Sequence, residues 1–267
     1  MSRSSPSVAA LRSRLALVQQ TDFACARAVA PPVALGVADL DARLGGGLAR
    51  AALHELFAAE PADVSALAGF AVLLSLRAQL GAKPVIWVRE DRGDRNNGRL
   101  YAQGLVDLGA DPDRFMIVHA PDTLALLRAG WDIVKCSGVG TVIIEPWGKA
   151  PELDLTASRR LSMAAAQSGA MTLVLRSGTD PHPSAALTRW SIACAPSTPL
   201  VADEGDECAP GAPVFDIEML RHRGGFPSFT TRLEWNRDEN SFEAPVLRDL
   251  SAVPALGATP DGGPRAA

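Results

Sequence analysis

Short apolar runs alternate with segments of helical pattern along most of the chain. The runs are β-branched or aromatic in part and are bounded by Gly, Pro or Asp, which is typical of buried strands. Alternating strands and helices build a mainly parallel sheet with helices on both faces, so the sequence predicts an α/β fold. The predicted strands are 53–57, 84–88, 114–120, 141–145, 171–176 and 191–195, and the predicted helices are 63–80, 96–108, 122–137 and 155–168.

The pattern changes after Pro196. Residues 197–213 are rich in Pro, Gly and acidic residues, which predicts a solvated loop. Two further apolar runs, 215–221 and 229–235, flank a short glycine-containing connection and predict a C-terminal antiparallel hairpin that extends the sheet. The segment 243–267 contains several prolines and glycines and is expected to be a disordered tail.

The N-terminal segment forms a unit of its own. Residues 8–20 place apolar side chains at helical spacing, and Pro31 and Pro32 cannot continue a helix, so an amphipathic helix and a linker are predicted over 1–30. The main domain is predicted over 36–237. The helix could dock on this domain or on a partner, and both alternatives stay open because a short helix alone is marginally stable.

Composition restricts the chemistry that the chain can carry. A net charge of −4 gives no global positive field, so any contact with nucleic acid needs a local basic patch. The four cysteines form no Cys-x-x-Cys pair, which predicts buried thiols in a reducing compartment and neither a zinc site nor a disulfide framework. No apolar stretch reaches 18 residues and no leader is evident, so we expect a soluble cytoplasmic protein without membrane contact.

One stretch carries the most specific signal. Residues 36–56 combine a short helix, a glycine turn at 45–47 and a strand, and their Leu-Gly-Gly-Gly-Leu segment resembles the lead-in of the RecA superfamily. The similarity continues in order over residues 36–236. It implies a RecA-like P-loop NTPase fold in which Glu145 lies at the Walker B position and Glu90 lies near the position of the water-activating glutamate.

The phosphate-binding loop of that superfamily is missing. Its Gly-x-x-x-x-Gly-Lys-[Ser/Thr] motif supplies backbone N–H groups and a lysine to phosphates, but residues 57–67 contain neither glycine nor lysine. Glu60 and Asp63 would repel phosphate, and Asp63 is predicted to cap the following helix. We therefore expect no enzyme activity, no cofactor and no metal. Glu60, Asp63, Glu90 and Glu145 would be a vestigial site, with residual nucleotide binding as the alternative.

Several arginines are candidates for contacts with a partner or with DNA. Arg92, Arg95 and Arg99 follow a predicted strand, at the sheet edge where such folds bind ligands, but the mixed charge favours a solvated helix start in which they pair with Glu90, Asp91 and Asp94. The other candidates are Arg159 and Arg160, beside the loop after the fourth strand, and Arg12 and Arg14 of the N-terminal helix.

A set of longer segments resembles the ImuA family, which is related to RecA. The segments are the Leu-Gly-Gly-Gly-Leu lead-in without a P-loop, GRLYAQGL at 98–105, DLTASRRLSMAAAQSG at 154–169, SAALTRW at 184–190 and LRHRGGFPSFTTRLEW at 220–235. The resemblance implies a non-catalytic accessory role in damage-inducible (SOS) mutagenesis and translesion DNA synthesis. Its implied partners are an ImuB-type protein, an error-prone DNA polymerase III α subunit and RecA.

The same resemblance leaves several outcomes open. DNA could be contacted directly or through partners, and self-association is possible. One alternative function is a RecA paralogue that binds DNA or modulates RecA filaments. Another is a cell-division inhibitor similar to SulA, which also belongs to the RecA relatives without a P-loop.

Overall fold

A nine-stranded sheet forms the centre of the protein. The computed structural model describes residues 30–79, 81–198, 200–201, 208–209 and 211–245, so the predicted N-terminal helix with Arg12 and Arg14 lies outside the described residues, as does nearly all of the predicted tail. The strands are β1 (Leu53–Ala58), β2 (Val85–Glu90), β3 (Phe115–Ala120), β4 (Thr141–Glu145), β5 (Met171–Arg176), β6 (Thr188–Ala195), β7 (Leu200–Val201), β8 (Cys208–Ala209), β9 (Val214–His222), β10 (Phe229–Asn236) and β11 (Ser241–Glu243).

The described helices connect the parallel strands. None of them is both long and apolar enough to cross a membrane. Two 3₁₀ turns, at Pro61–Asp63 and Pro112–Arg114, complete the helical elements that the structure describes. The α-helices are α1 (Ala38–Arg43), α2 (Val64–Arg77), α3 (Asp91–Asn97), α4 (Ala102–Asp107), α5 (Thr123–Val134) and α6 (Leu155–Ser168).

The sheet has the order β11-β10-β9-β6-β1-β5-β4-β2-β3. Strands β1 to β6 pair in parallel, whereas β9 runs antiparallel to both β6 and β10, and β11 closes that end. The predicted α/β class, the mainly parallel sheet and the C-terminal antiparallel hairpin are therefore confirmed. Strands β7 and β8 form a separate pair inside the segment predicted as a solvated loop.

Helices cover both faces of the parallel part. Alternate residues of a strand point to opposite faces, so Trp87 of β2 packs in the core on the side of α2, while Val88 packs on the side of α5 and α6. Helix α5 approaches β4 closely at Gly130, where a Cβ atom would lie 2.9 Å from Ile144 Cδ1. Strands buried on both faces explain the almost uninterrupted apolar runs in the sequence.

Several boundaries differ from the predictions. The predicted helix 96–108 is two short helices, because Gly98 has a φ of +81° and interrupts the helical conformation. The packed unit also extends beyond 36–237, since Val33 is buried and β11 pairs with β10. The expectation of buried thiols is wrong for the two cysteines whose side chains are described, because both are exposed. These are Cys136 and Cys194.

The glycine turn before β1 is confirmed. All three residues of Gly45–Gly47 have positive φ, and the turn brings Leu48 into an isolated antiparallel bridge with Val33. At Gly47, φ is +122° and a Cβ atom would lie 2.2 Å from the carbonyl oxygen of Val33. A side chain is therefore excluded at this position by both conformation and space.

A chain of hydrogen bonds in the core ties this turn to the central strands. Trp190 Nε1 donates to Thr188 Oγ1 over 2.7 Å, and the Thr188 hydroxyl lies 2.7 Å from His54 Nδ1. His54 Nε2 lies 2.7 Å from the carbonyl oxygen of Ala49. A neutral imidazole with its proton on Nε2 satisfies every group in this chain. Burial lowers the pKa of His54 to about 4, against the smaller opposing effect of its hydrogen bond to Ala49.

Candidate functional site

The connection between β1 and α2 is the segment that the predicted RecA-like fold would use as its P-loop. It consists of residues 59–63, the last three of which form a 3₁₀ turn. None of these residues has a positive φ. A phosphate-binding nest needs successive N–H groups that converge through alternating right- and left-handed backbone conformations. The connection therefore lacks the backbone geometry of a phosphate cradle as well as its lysine.

Asp63 holds this connection against the neighbouring strand. Its Oδ1 accepts a hydrogen bond from the backbone N–H of Cys194 on β6 (2.9 Å), and its Oδ2 accepts one from the backbone N–H of Glu60 (3.2 Å). Asp63 occupies the predicted N-cap position of α2, but its carboxylate makes no hydrogen bond to the first turn of that helix. Burial acts to raise the pKa of Asp63, but the hydrogen bonds from Cys194 and Glu60 outweigh it and lower the pKa.

The carboxylate of Glu145, at the end of β4, is neutralised by an arginine from the adjacent strand. Its Oε2 accepts from Arg89 Nε over 2.7 Å and from Trp87 Nε1 over 2.8 Å, and its Oε1 accepts from Arg89 Nη2 over 3.3 Å. Arg89 also pairs with Asp94 over 2.8 Å. Both Arg89 and Glu145 are buried, so a guanidinium is held against the carboxylate at the predicted Walker B position.

Glu90 points to the other face of the sheet. Its Oε2 accepts from Thr123 Oγ1 (2.9 Å) at the start of α5 and from the backbone N–H of Trp147 (3.3 Å). Since β2 and β4 pair Arg89 with Glu145, the next residue along β2 must face away from Glu145. The four acids predicted as a vestigial site therefore do not form one cluster.

These positions do not fit a nucleotide with its magnesium ion. Such a site needs a cradle for phosphates, a cation for the terminal phosphates and a free carboxylate for the metal. Here the connection has no cradle, Arg89 occupies Glu145, and Glu90 is hydrogen-bonded on the opposite face. Among the described residues, no group of three or more His, Cys, Asp or Glu side chains could hold a metal ion.

The arginines predicted at the carboxyl edge of the sheet are exposed. Arg92 and Arg95 lie on α3, and neither has a carboxylate within 4 Å among the described residues. Arg99 lies 3.9 Å from Asp94, whose carboxylate is closer to Arg89. The predicted pairing with neighbouring acids is therefore confined to one long contact.

The second arginine pair lies elsewhere on the molecule. Arg159 and Arg160 are exposed on α6, which packs on the face opposite α2. Helix α3 instead approaches Glu145, whose side chain lies on the α2 side. The structure thus presents two separate exposed arginine groups, one on each helical layer.

The chain buries a second charged cluster that sequence inspection missed. Arg189 Nε donates to Glu55 Oε2 over 2.9 Å, and both side chains are buried. Arg176 is 1% exposed, and its Nε and Nη1 have no hydrogen-bond partner among the described residues. Burial lowers the pKa of Arg176, which the charge of Glu55 partly offsets. The available signals were charged residues within predicted buried strands: Glu55 in the middle of β1, Arg176 at the end of β5 and Arg189 near the start of β6.

The structure is that of an α/β protein. The carboxylates of Glu90 and Glu145, at the carboxyl edge of its parallel sheet, accept hydrogen bonds from other groups of the same chain. Two ImuA proteins of Caulobacter vibrioides, from strain NA1000 / CB15N and strain ATCC 19089 / CIP 103742 / CB 15, are similar to it. Each is 33% identical over 215 residues, which cover 75% of this chain and 82% of the relative. No protein-family model matches the chain. At this identity and coverage, the chain belongs to the ImuA family.

Proposed function

We propose that this chain is a non-catalytic accessory protein in damage-inducible (SOS) mutagenesis and translesion DNA synthesis. It acts through contacts with other proteins in the cytoplasm. The observation that supports the proposal is the buried ion pair of Arg89 and Glu145, in which the carboxylate at the predicted Walker B position is already paired with a guanidinium.

We further propose that the fold is RecA-like. The order of the parallel strands, with β1 between β5 and β6 and a loop from β1 into a long helix, supports this assignment. A P-loop has the same strand–loop–helix context, and its sequence is lost here. The scaffold of an ATPase would thus persist without the phosphate cradle.

The buried pair argues against hydrolysis by a direct electrostatic route. A guanidinium 2.7 Å from the carboxylate repels a divalent cation, and Trp87 and Arg89 together use the oxygens that would bind it. Removing Arg89 to make room would leave Glu145 buried without its charge partner. The pair therefore supports a chain that does not use Glu145 to bind a nucleotide and its metal ion.

The partners proposed for this role are an ImuB-type protein, an error-prone DNA polymerase III α subunit and RecA. Membership of the ImuA family supports their choice. Contact with DNA would be direct or through these proteins. Self-association is a further expectation that the same assays test.

Purified full-length chain should neither bind Mg²⁺-ATP nor hydrolyse it, and it should form a complex with the purified ImuB-type protein. A fluorescent ATP analogue measures the first property and size-exclusion chromatography with light scattering measures the second. ATP turnover that Glu145→Gln abolishes would refute the non-catalytic role. If none of the three partners forms a complex with the chain, the accessory role is refuted.

A second candidate function rests on the exposed arginines of α3. Arg92 and Arg95 are exposed and have no carboxylate within 4 Å among the described residues, so their charges are available to phosphate groups. The alternative function is therefore the binding of single-stranded DNA near RecA filaments. Salt-dependent binding of single-stranded DNA that is lost in the Arg92→Ala/Arg95→Ala/Arg99→Ala variant would favour it. Unchanged binding in that variant would exclude this use of the arginines.

A further inference from the structure

The outer sides of α5 and α6 form one continuous exposed surface. The two helices follow parallel strands, run in the same direction and pack against each other on one face of the sheet. Their exposed side chains form stripes at helical spacing that lie side by side. We call this surface the α5–α6 face, and it consists of Leu124, Arg128, Trp131, Asp132 and Lys135 on α5 and at its end, with Arg159, Arg160 and Met163 on α6.

Packing fixes the orientation of both helices. Leu126, Gly130 and Val134 of α5 are buried against the sheet, and Asp122 caps its first turn by accepting from Ala125 N over 2.8 Å. Leu161 of α6 is buried on the same layer. The opposite side of each helix must therefore face outward. Packing in the core does not account for the residue types on that outward side.

Large apolar side chains are exposed on this face. Trp131 is 40% exposed, Leu124 is 49% exposed and Met163 is 64% exposed. The ammonium group of Lys135 lies 4.1 Å from the centre of the Trp131 ring, which holds the indole in place. Trp, Met and Arg are enriched at protein interfaces, and Trp and Arg are also enriched among hot-spot residues.

The charges along the middle of this face are mainly positive. Four cations, Arg128, Lys135, Arg159 and Arg160, lie on the same face as the apolar groups, and α6 itself contains no acidic residue. Asp132 is the one carboxylate on the defined face and lies 3.9 Å from Lys135, whereas the exposed carboxylates of Asp122, Glu152 and Asp154 lie at the N-terminal ends of the two helices. The whole chain nevertheless has a net charge of −4, so the basic character is local.

We propose that the α5–α6 face is a docking surface for an acidic protein segment that also carries apolar side chains. The carboxylates of that segment would pair with the four cations, and its apolar side chains would cover Leu124, Trp131 and Met163. The inference rests on the proposed accessory function, because it names the surface through which a partner is bound. It places that surface away from the arginines of α3.

The chemistry of this face suits a protein segment better than a nucleic acid strand. Nucleic acid would use the cations for phosphates and an aromatic side chain for base stacking. The aliphatic side chains of Leu124 and Met163 offer no stacking surface, yet they account for the most exposed apolar groups of the face. An amphipathic acidic segment uses all three apolar residues and the cations together.

The test is fluorescence anisotropy with a labelled synthetic peptide of about 20 residues that contains Asp, Glu, Leu and Phe at helical spacing. The wild-type full-length chain should bind it with an affinity that falls as salt rises. Trp131→Ala and the double variant Arg128→Glu/Arg160→Glu should each weaken binding by about tenfold or more. Circular dichroism and thermal melting establish that both variants are folded.

A matched control changes the same charge at a distant surface. Arg221→Glu/Arg237→Glu alters exposed arginines near the antiparallel end of the sheet and should leave peptide binding unchanged. Three results would overturn the proposal. They are equal peptide binding by all variants, no peptide binding by the wild type, and displacement of the peptide by an oligo-dT strand that binds more tightly. Self-association lost in Trp131→Ala, with no peptide binding, would instead assign the face to a second copy of the chain.

A parallel measurement separates this inference from the proposed function. If the purified ImuB-type protein, polymerase α subunit and RecA all fail to bind the wild-type chain, the accessory function fails, and the peptide assay still decides the role of the face. If one of them binds wild type and the Trp131→Ala variant equally well, the accessory function stands and the docking surface is wrong.

Discussion

Acidification is expected to destabilise the fold through His54. The folded protein buries this imidazole in its neutral form between Thr188 and Ala49, and its pKa falls to about 4 from an ordinary value of 6.5. An unfolded chain takes up the proton near pH 6.5, whereas the folded chain resists protonation until about pH 4. Because the unfolded state binds more protons in this interval, stability must fall as the pH falls.

The size of the effect follows from the two pKa values. Each pKa unit corresponds to about 1.4 kcal/mol, so His54 removes about 3 kcal/mol of folding free energy once the pH lies below 4. About 2 kcal/mol of this is already lost at pH 5, and almost none at pH 7.5. Such a loss is a large fraction of the stability of an ordinary domain.

Urea unfolding at fixed pH values between 7.5 and 4.5 measures this contribution. The control is His54→Gln, which cannot titrate and should show a shallower decline of the unfolding free energy over the same range. The difference between wild type and variant should shrink as the pH falls. If the difference in unfolding free energy between wild type and variant stays constant with pH, His54 does not cause the pH dependence. The assignment of a neutral, hydrogen-bonded imidazole would then be wrong.

Three substitutions test other parts of the account by chemical denaturation. Glu145→Ala removes one of the two carboxylates that pair with the buried guanidinium of Arg89 and should cost about 3 kcal/mol; a negligible loss would refute the buried pair. Asp63→Ala should cost about 1 kcal/mol and speed amide exchange at Cys194, and unchanged exchange would contradict the hydrogen bond. Gly47→Ala should cost about 2 kcal/mol, and Gly148→Ala, which has open space, should cost less; equal losses would argue against the clash.

The class of fold could be predicted from sequence because it depends on local pattern. Strands buried on both faces leave apolar runs, and helices between them leave helical spacing, so the parallel strands and their connecting helices could be predicted one at a time, whereas the short strands β7, β8 and β11 could not. The helix predicted over 96–108 is interrupted, because Gly98 lies within a favourable helical pattern and adopts a positive φ that the pattern does not reveal. Strand order follows from packing between distant segments and was not predicted.

The candidate site was less predictable, because its contacts depend on register. Pairing of Arg89 with Glu145 requires knowing how β2 aligns with β4, and that alignment also turns Glu90 to the other face. Local rules assigned Asp63 to a helix cap, but a backbone N–H on β6, far away in sequence, takes its carboxylate. The missing glycines and lysine of the P-loop were visible directly, since an absence of residue types needs no register.

The central claim is that the chain acts by binding proteins without turning over a nucleotide. Its most direct test is light scattering of the full-length chain mixed with the purified ImuB-type protein, with and without Mg²⁺-ATP, while phosphate release is followed in the same sample. The account predicts that the complex forms equally well with and without Mg²⁺-ATP. It also predicts that the mixture releases no more phosphate than the ImuB-type protein alone. A complex that requires ATP, or phosphate release that Glu145→Gln removes, would contradict it.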